Sequence, residues 1–243
     1  LPLGILKSRK ANKSTPPKRK GLHSFHGCMG TLVKSLSAHL ADHIKYGKDT
    51  LQIDPNQSTI ITTPSHITHR LIPNTGASKM LQRIVYQGIV CANLMFNKSQ
   101  FQNFKKGFGC LIPRDEGIKS LGILFTSIIY PERVYDPNHL SLRCIMHLDD
   151  SNKHMNDEEI EQLMCQDLDK LFDLDGKPLE TLITRWPQGL PVYSPEHHDL
   201  LPQIDGALKK ELPNIRLFGN YTGEISVRGA CQSAYNMFKD LEE

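Results

Sequence analysis

The chain lacks several patterns that mark common classes of protein. Its 243 residues include six cysteines, but no two are spaced as C-x-x-C, so neither a zinc site nor a redox dithiol is predicted. No run of apolar residues approaches the ~18 that a membrane-spanning helix needs, and no secretory signal peptide is visible. We therefore expect the cysteines to be small buried apolar residues in a reducing compartment.

Motifs of three catalytic classes are also missing. There is no G-x-S-x-G, which argues against a serine hydrolase. His39 and His43 have helical spacing, but Leu40 stands where the metal-binding H-E-x-x-H motif has its glutamate. The dinucleotide-binding fingerprint G-x-G-x-x-G is absent too. We expect no metal site.

Charge is distributed unevenly along the chain. The net charge is only +3, so its composition does not favour nucleic-acid binding. The first 20 residues, however, carry seven lysines and arginines and no acidic residue. This run is typical of a solvated linker, and it equally fits a basic patch near an anionic membrane surface or an acidic partner.

Apolar periodicity and turn residues predict the secondary structure. Four consecutive strands in the middle of the chain favour an antiparallel sheet. Asn156 is predicted to cap a helix, and a helix after Ser194 is predicted to break near Pro202. The predicted helices are 29–46, 156–171, 194–212 and one from the turn at 219 to about residue 241; the predicted strands are 58–63, 84–96, 107–113, 121–129, 140–148, 179–186 and 215–218.

The most informative pattern lies at residues 215–228. A short apolar strand ends at Gly219-Asn220, and a helix is predicted to begin a few residues later. Such a junction presents free backbone N–H groups and the positive end of a helix dipole at one point. The pattern therefore predicts a site for an anion or for an electron-rich ring edge.

Further motifs accompany this junction in a specific order. The most specific are G-F-G-C-L-I-P at 107–113, L-G-I-L-F-T-S at 121–127 and P-E-R at 131–133. Weaker ones are S-F-H-G-C-M-G-T-L at 24–32, I-I-T-T-P at 60–64 and R-W-P-Q-G-L-P-V-Y at 185–193. Together they resemble the oxygen-dependent protoporphyrinogen oxidases of the flavin amine oxidase superfamily.

The resemblance implies roles for particular residues. A bound FAD would contact the final motif and a loop bearing the only tryptophan, and a tetrapyrrole would lie against apolar side chains. No residue is assigned as a catalytic acid or base, because the cofactor carries the chemistry. The implied cofactor-binding residues are Gly219, Asn220, Tyr221, Ser226, Val227 and Trp186, and the implied substrate-binding residues are Leu111, Leu124 and Met146.

The resemblance covers only the second half of the family, and the chain begins with Leu1 rather than Met. We expect the C-terminal part of a longer enzyme, with an α/β fold of α+β character. Pieces of a Rossmann-like FAD domain would accompany an antiparallel-sheet substrate domain with covering helices. The expected divisions are a basic linker at 1–20, FAD-domain pieces at 21–73 and 205–243, and a substrate domain at 74–204.

The implied activity is FAD-dependent oxidation of protoporphyrinogen IX to protoporphyrin IX by oxygen, in haem or chlorophyll synthesis. The implied partners are the tetrapyrrole and oxygen, not nucleic acid, with peripheral membrane association through the missing half and a homodimer as further expectations. The implied location is the cytoplasm or a membrane surface, mitochondrial or plastid in a eukaryote.

Two alternatives stay open: a related flavin amine oxidase or desaturase, and an inactive truncated flavoprotein that acts as a binding module. Cys28 and Glu224 stand where the family has glycine, which favours the latter.

Overall fold

The computed structural model describes residues 24–25, 27–47, 53–223 and 225–242. The basic segment 1–20 and Glu224 lie outside this part of the chain. The chain divides into two compact units, 1–51 and 52–243. In the first unit, helix α1 spans Gly30–His39 and is followed by a 3-10 turn at Ala41–His43.

Helix α1 is shorter than the predicted helix over 29–46. The chain leaves the α-helical conformation at Leu40, and the N–H of His43 donates to the carbonyl oxygen of Leu40 in a tighter turn. None of the ten residues of α1 is buried. The helix therefore ends at His39 rather than at residue 46, about two turns early.

The second unit contains the remaining helices and strands. In chain order they are β1 Thr59–Ile61, α2 Ser65–Leu71, α3 Gly76–Leu81, β2 Tyr86–Asn97, β3 Gly109–Leu111, β4 Ser120–Leu124, α4 Thr126–Ile129, β5 His139–Leu148, α5 Asp157–Phe172, β6 Glu180–Pro191, α6 Pro195–Glu211, β7 Ile215–Leu217 and α7 Val227–Glu242. Short 3-10 helices lie at Lys98–Gln100 and Pro131–Arg133. No helix in the described ranges is long and apolar enough to cross a membrane.

Five strands form the antiparallel sheet that the sequence predicts, in the order β3-β4-β5-β2-β6. Burial alternates along β5, where Leu140, Leu142, Cys144 and Met146 are buried and the residues between them are partly exposed. Because successive side chains of a strand point to opposite faces, the sheet has one buried and one open face.

Helix α5 covers the buried face. Ile160, Met164 and Leu168 are fully buried against the strands. The helix begins as predicted: Asn156 accepts from the N–H of Glu159, and the Glu159 side chain accepts from the N–H of Asn156. This reciprocal pair satisfies two amides that a helix start leaves without partners.

Several segments of the second unit differ from the predictions, and strand β6 continues to Pro191, past the predicted end at 186. The strand predicted over 121–129 ends at Leu124, because Thr126 and Ser127 bond through their hydroxyl groups to the backbone of Ser141 and hold a helical turn, α4, there. Helix α6 continues through Pro202. Buried Leu200, Ile204 and Leu208 offset the hydrogen bond that proline removes. The short helices α2 and α3 were not predicted.

A second core surrounds a parallel pair of strands, β1 and β7, paired from Thr59↔Ile215 to Ile61↔Leu217. Helices α2, α3 and α6 contribute buried residues to this core. The architecture is therefore mixed α/β, as predicted. The domain boundaries stay a prediction, although α3 and most of α6 pack with the β1–β7 pair rather than with the sheet to which those boundaries assign them.

Candidate functional site

The strand register builds the open face of the five-stranded sheet. Residues that pair across antiparallel strands point to the same face, with Cβ atoms about 4.5–5.5 Å apart. Successive rows across this face, which we call the open sheet face, are Leu124–Arg143–Asn93–Leu182, then Leu111–Gly122–Ile145–Cys91–Thr184, then His147–Ile89–Trp186. The face is largely apolar, with one guanidinium group near its centre.

Leu111 and Leu124 lie in adjacent rows of the open sheet face. Leu111 is 91% exposed, and Leu124 is partly buried. The Leu111 side chain covers Gly122, where a Cβ would lie 3.2 Å from Leu111 Cδ2. Glycine at this point leaves room for the leucine side chain. Together the two leucines form an apolar wall open to a planar ligand, and their role as substrate contacts stays a prediction.

Met146 lies on the opposite face from these leucines. It pairs with Ser120, which lies beside Met164 of α5, and its side chain is only 2% exposed. An irregularity between Ser120 and Gly122 shifts the register there. The three residues predicted to line one pocket are therefore divided by the sheet, and Met146 is a core residue in this structure.

Trp186 stands at one end of the open sheet face, on β6, and is 56% exposed. The same strand leads to Tyr193, whose hydroxyl group donates to the carbonyl oxygens of Asn220 and Gly223. Trp186 therefore lies on a strand rather than in the predicted loop, and the segment that follows this strand is joined to the final motif by direct hydrogen bonds.

The final motif folds as predicted, with a strand, a turn and a helix. The Thr222 hydroxyl group donates to the carbonyl oxygen of Gly219 and accepts from its N–H, which closes the turn. Ser226 caps α7 by accepting from the N–H of Gly229, and Val227, the first helical residue, is exposed. The positive end of the α7 dipole therefore lies at Ser226–Val227.

Tyr221 is buried inside the second core. Its hydroxyl group lies 3.4 Å from the Thr68 hydroxyl, and its carbonyl oxygen lies 2.8 Å from His197 Nε2. Burial raises the pKa of Tyr221 to about 12, so the side chain is neutral over the physiological range. Its side chain anchors the turn from inside, and any contact that Tyr221 makes with a cofactor must come from its backbone.

A cavity of about 180 Å³ lies between the turn and α7. It is lined by Leu217, Phe218, Gly219, Thr222, Gly223, Ala230, Ser233 and Met237. Ligand pockets usually measure about 300–1,000 Å³, so this cavity suits one part of a large ligand. A larger cavity of about 400 Å³ lies between α6, β7 and α7.

Sequence reasoning missed Arg143 and Asn93. A polar residue at an alternate position of a strand predicts only a solvent-facing side chain, so the sequence carried no signal that the two lie together on an apolar face. His197 was also missed as a partner of the final motif, because a lone buried histidine carries no positional signal.

Comparison with known proteins identifies the family. A family model described as flavin containing amine oxidoreductase matches residues 22–237, nearly the whole chain. The chain belongs to the flavin-containing amine oxidoreductases. In the part of the chain that the structure describes, no group of three or more His, Cys, Asp or Glu side chains is placed to hold a metal ion.

Several relatives of this flavin-containing amine oxidoreductase are tetrapyrrole oxidases by name. The mitochondrial protoporphyrinogen oxidase of Nicotiana tabacum is 31% identical over 137 residues, 54% of this chain and 27% of the relative. The chloroplastic protoporphyrinogen oxidase 1 of Arabidopsis thaliana is 23% identical over 96% of this chain and 51% of its own length. The chain thus spans about half, or less, of the length of these relatives.

A solved structure confirms the fold. The structure of a candidate protoporphyrinogen oxidase from Exiguobacterium sp. 255-15 superimposes with a TM-score of 0.65 at 21% identity, covering 75% of this chain and 40% of that one. At this identity the similarity establishes the architecture and leaves the substrate open.

The residues present fit one end of a flavin. The start of α7 offers the positive end of a helix dipole, and the 180 Å³ cavity lies between the preceding turn and the same helix. The glycine loop that holds a dinucleotide pyrophosphate is absent from the sequence. The contacts of this chain with a flavin stay a prediction.

Proposed function

We propose that the protein containing this chain oxidises protoporphyrinogen IX to protoporphyrin IX, using FAD and oxygen. One observation carries the proposal: the apolar wall of the open sheet face is joined, through strand β6 and the Tyr193 hydrogen bonds, to the turn that precedes α7. A macrocycle needs an apolar wall, and an electron-accepting ring needs polar backbone groups beside it. The names of the relatives support this substrate.

Each part of the chain has a role in this proposal. Leu111 and Leu124 contact the face of the macrocycle and exclude water from it. The turn at Gly219 and Asn220 would orient a bound flavin, and the Ser226–Val227 helix start would stabilise negative charge at its edge. FAD, when bound, supplies the two-electron acceptor. Tyr221 and His197 hold the turn in place.

An oxidase assay on the full-length protein tests the proposed function. We expect porphyrin fluorescence to rise from protoporphyrinogen in air faster than in an enzyme-free control, with hydrogen peroxide formed. Removal of oxygen should stop turnover. A full-length protein that loads with flavin yet gives no fluorescence above the control contradicts the proposal. Oxidation of an amine or a polyene instead would favour the other flavin oxidases.

The 243-residue chain by itself is expected to bind FAD weakly. It lacks the glycine loop that holds the pyrophosphate, and the 180 Å³ cavity accepts only part of the cofactor. After incubation with FAD and desalting, the flavin absorbance should correspond to far less than one flavin per chain. The full-length protein is the control and should retain flavin. Stoichiometric yellow flavin on the chain would contradict this prediction.

Membrane association, location and oligomeric state stay predictions.

A further inference from the structure

Arg143 lies near the centre of the open sheet face. In its row, Leu124 precedes it and Asn93 and Leu182 follow it, and along β5 its neighbour on this face is Ile145. Its Nε–H donates to Asn93 Oδ1 over 2.8 Å. The side chain is partly buried. A charged group is therefore held within an apolar surface.

No carboxylate among the described residues forms an ion pair with Arg143. Arg185, on the opposite face of the same sheet, differs in this respect. Its Nη1 pairs with the carboxylate of Asp157, and its Nη2 donates to the carbonyl oxygen of Met155 over 2.9 Å. Arg185 thus has a structural role, whereas the charge of Arg143 has no partner of opposite sign within the described part of the chain.

The bond to Asn93 orients the guanidinium group without neutralising it. Arginine has five N–H donors in a planar fork, and Asn93 engages the one on Nε. The four on the Nη atoms stay available for a bidentate bond to a carboxylate. Desolvating a cation among leucines is unfavourable unless an anion joins it. The available Nη donors and the apolar side chains around them favour a ligand that is both anionic and apolar.

We propose that Arg143, oriented by Asn93, binds a carboxylate of the substrate while Leu124 and Leu182 contact its apolar rings. The inference rests on the proposed function, since a porphyrinogen is a large apolar macrocycle that bears propionate groups. Arg143 then determines specificity for the free acid over an uncharged ester. Asn93 is a positioning residue that acts through Arg143.

The test compares protoporphyrin IX with its dimethyl ester, both titrated against the chain by fluorescence. A charge-assisted hydrogen bond contributes about 1.5–3 kcal/mol, and about 1.4 kcal/mol corresponds to a factor of ten in affinity. Arg143→Gln should therefore raise the Kd for the free acid by about ten-fold or more and leave the Kd for the ester unchanged. Asn93→Ala should have a smaller effect of the same kind.

Arg133→Gln is the matched control, because it removes the same charge outside the sheet, where Arg133 stacks on Tyr130. It should change neither Kd, and Arg143→Lys should recover part of the affinity for the free acid. Equal binding of acid and ester by the unaltered chain would overturn the role of Arg143, and so would an equal loss of both in Arg143→Gln. Neither result would contradict the apolar contacts proposed for Leu111 and Leu124. If the unaltered chain binds neither porphyrin, the proposed role of Arg143 is also overturned.

Kinetics separate this inference from the proposed function. In the flavin-loaded full-length protein, Arg143→Gln should raise KM for protoporphyrinogen by about ten-fold with little change in kcat, which is the pattern of lost binding rather than lost chemistry. Unaltered kinetics in an active enzyme would refute the role of Arg143 alone. An inactive parent enzyme would refute the proposed function.

Discussion

Replacing Gly109 with alanine should destabilise the sheet by about 3 kcal/mol, near the upper end of the usual range for overpacking. A Cβ at Gly109 would lie 2.3 Å from the carbonyl oxygen of Ile123 and 3.1 Å from the Cα of Leu124. Both are backbone atoms of the paired strand β4, and Ile123 is fully buried. The neighbouring strand therefore has little freedom to move aside.

Gly107→Ala is the matched control in the same G-F-G motif. A Cβ there would lie 3.7 Å from the Phe125 ring, an ordinary contact, so its effect should be small. Urea unfolding followed by circular dichroism measures both. If the two variants have the same midpoint, close packing of β3 on β4 is not what requires glycine at position 109.

If the extra Cβ at position 109 separates β3 from β4, Leu111 moves away from its place over Gly122. Gly109→Ala should therefore also weaken binding of the porphyrin diester, which depends on the apolar wall. Gly107→Ala should leave that binding unchanged.

Replacing Asp167 with alanine should destabilise the chain by about 1.5–3 kcal/mol, the range for hydrogen bonds to a charged group. Asp167 lies on α5 and is 2% exposed. Its carboxylate accepts from the N–H of Ser120 and from the Ser120 hydroxyl, both over 2.7 Å, and from the N–H of Lys119 over 3.1 Å. Alanine would leave these donors without partners at the start of β4.

Asp169→Ala is the control, because Asp169 lies on the same helix and is exposed. It should change the free energy of unfolding by less than about 0.5 kcal/mol. Asp167→Asn keeps the size of the side chain and one acceptor, so it should lie between the two. Equal stability of Asp167→Ala and Asp169→Ala would show that water replaces the carboxylate at no cost.

Features that depend on neighbouring residues were readable from the sequence. The start of α5 was predicted correctly because a capping box needs only Asn156, Glu159 and their own backbone. The strand β5 was predicted because its apolar residues alternate and one face is buried. The strand–turn–helix of the final motif likewise depends on local turn chemistry, and the structure has it where it was expected.

Features that depend on residues far apart in the chain could not be read from the sequence. The turn α4 exists because hydroxyl groups of Thr126 and Ser127 meet Ser141 of another strand. Helix α6 passes Pro202 because the second core holds its apolar residues. The separation of Met146 from Leu124 follows from the pairing register of β4 and β5, which the turns between them do not reveal.

The sequence by itself determined the family, the antiparallel sheet and the candidate residues, because motifs and periodicity are properties of neighbouring positions. Only the tertiary structure decided which of these residues lie together. It placed Leu111 and Leu124 on one face with Arg143 and turned Met146 and Tyr221 into the cores. The physical reason is that a side chain's face is set by pairing with strands far away in the chain, and a shift of one residue in that pairing reverses it.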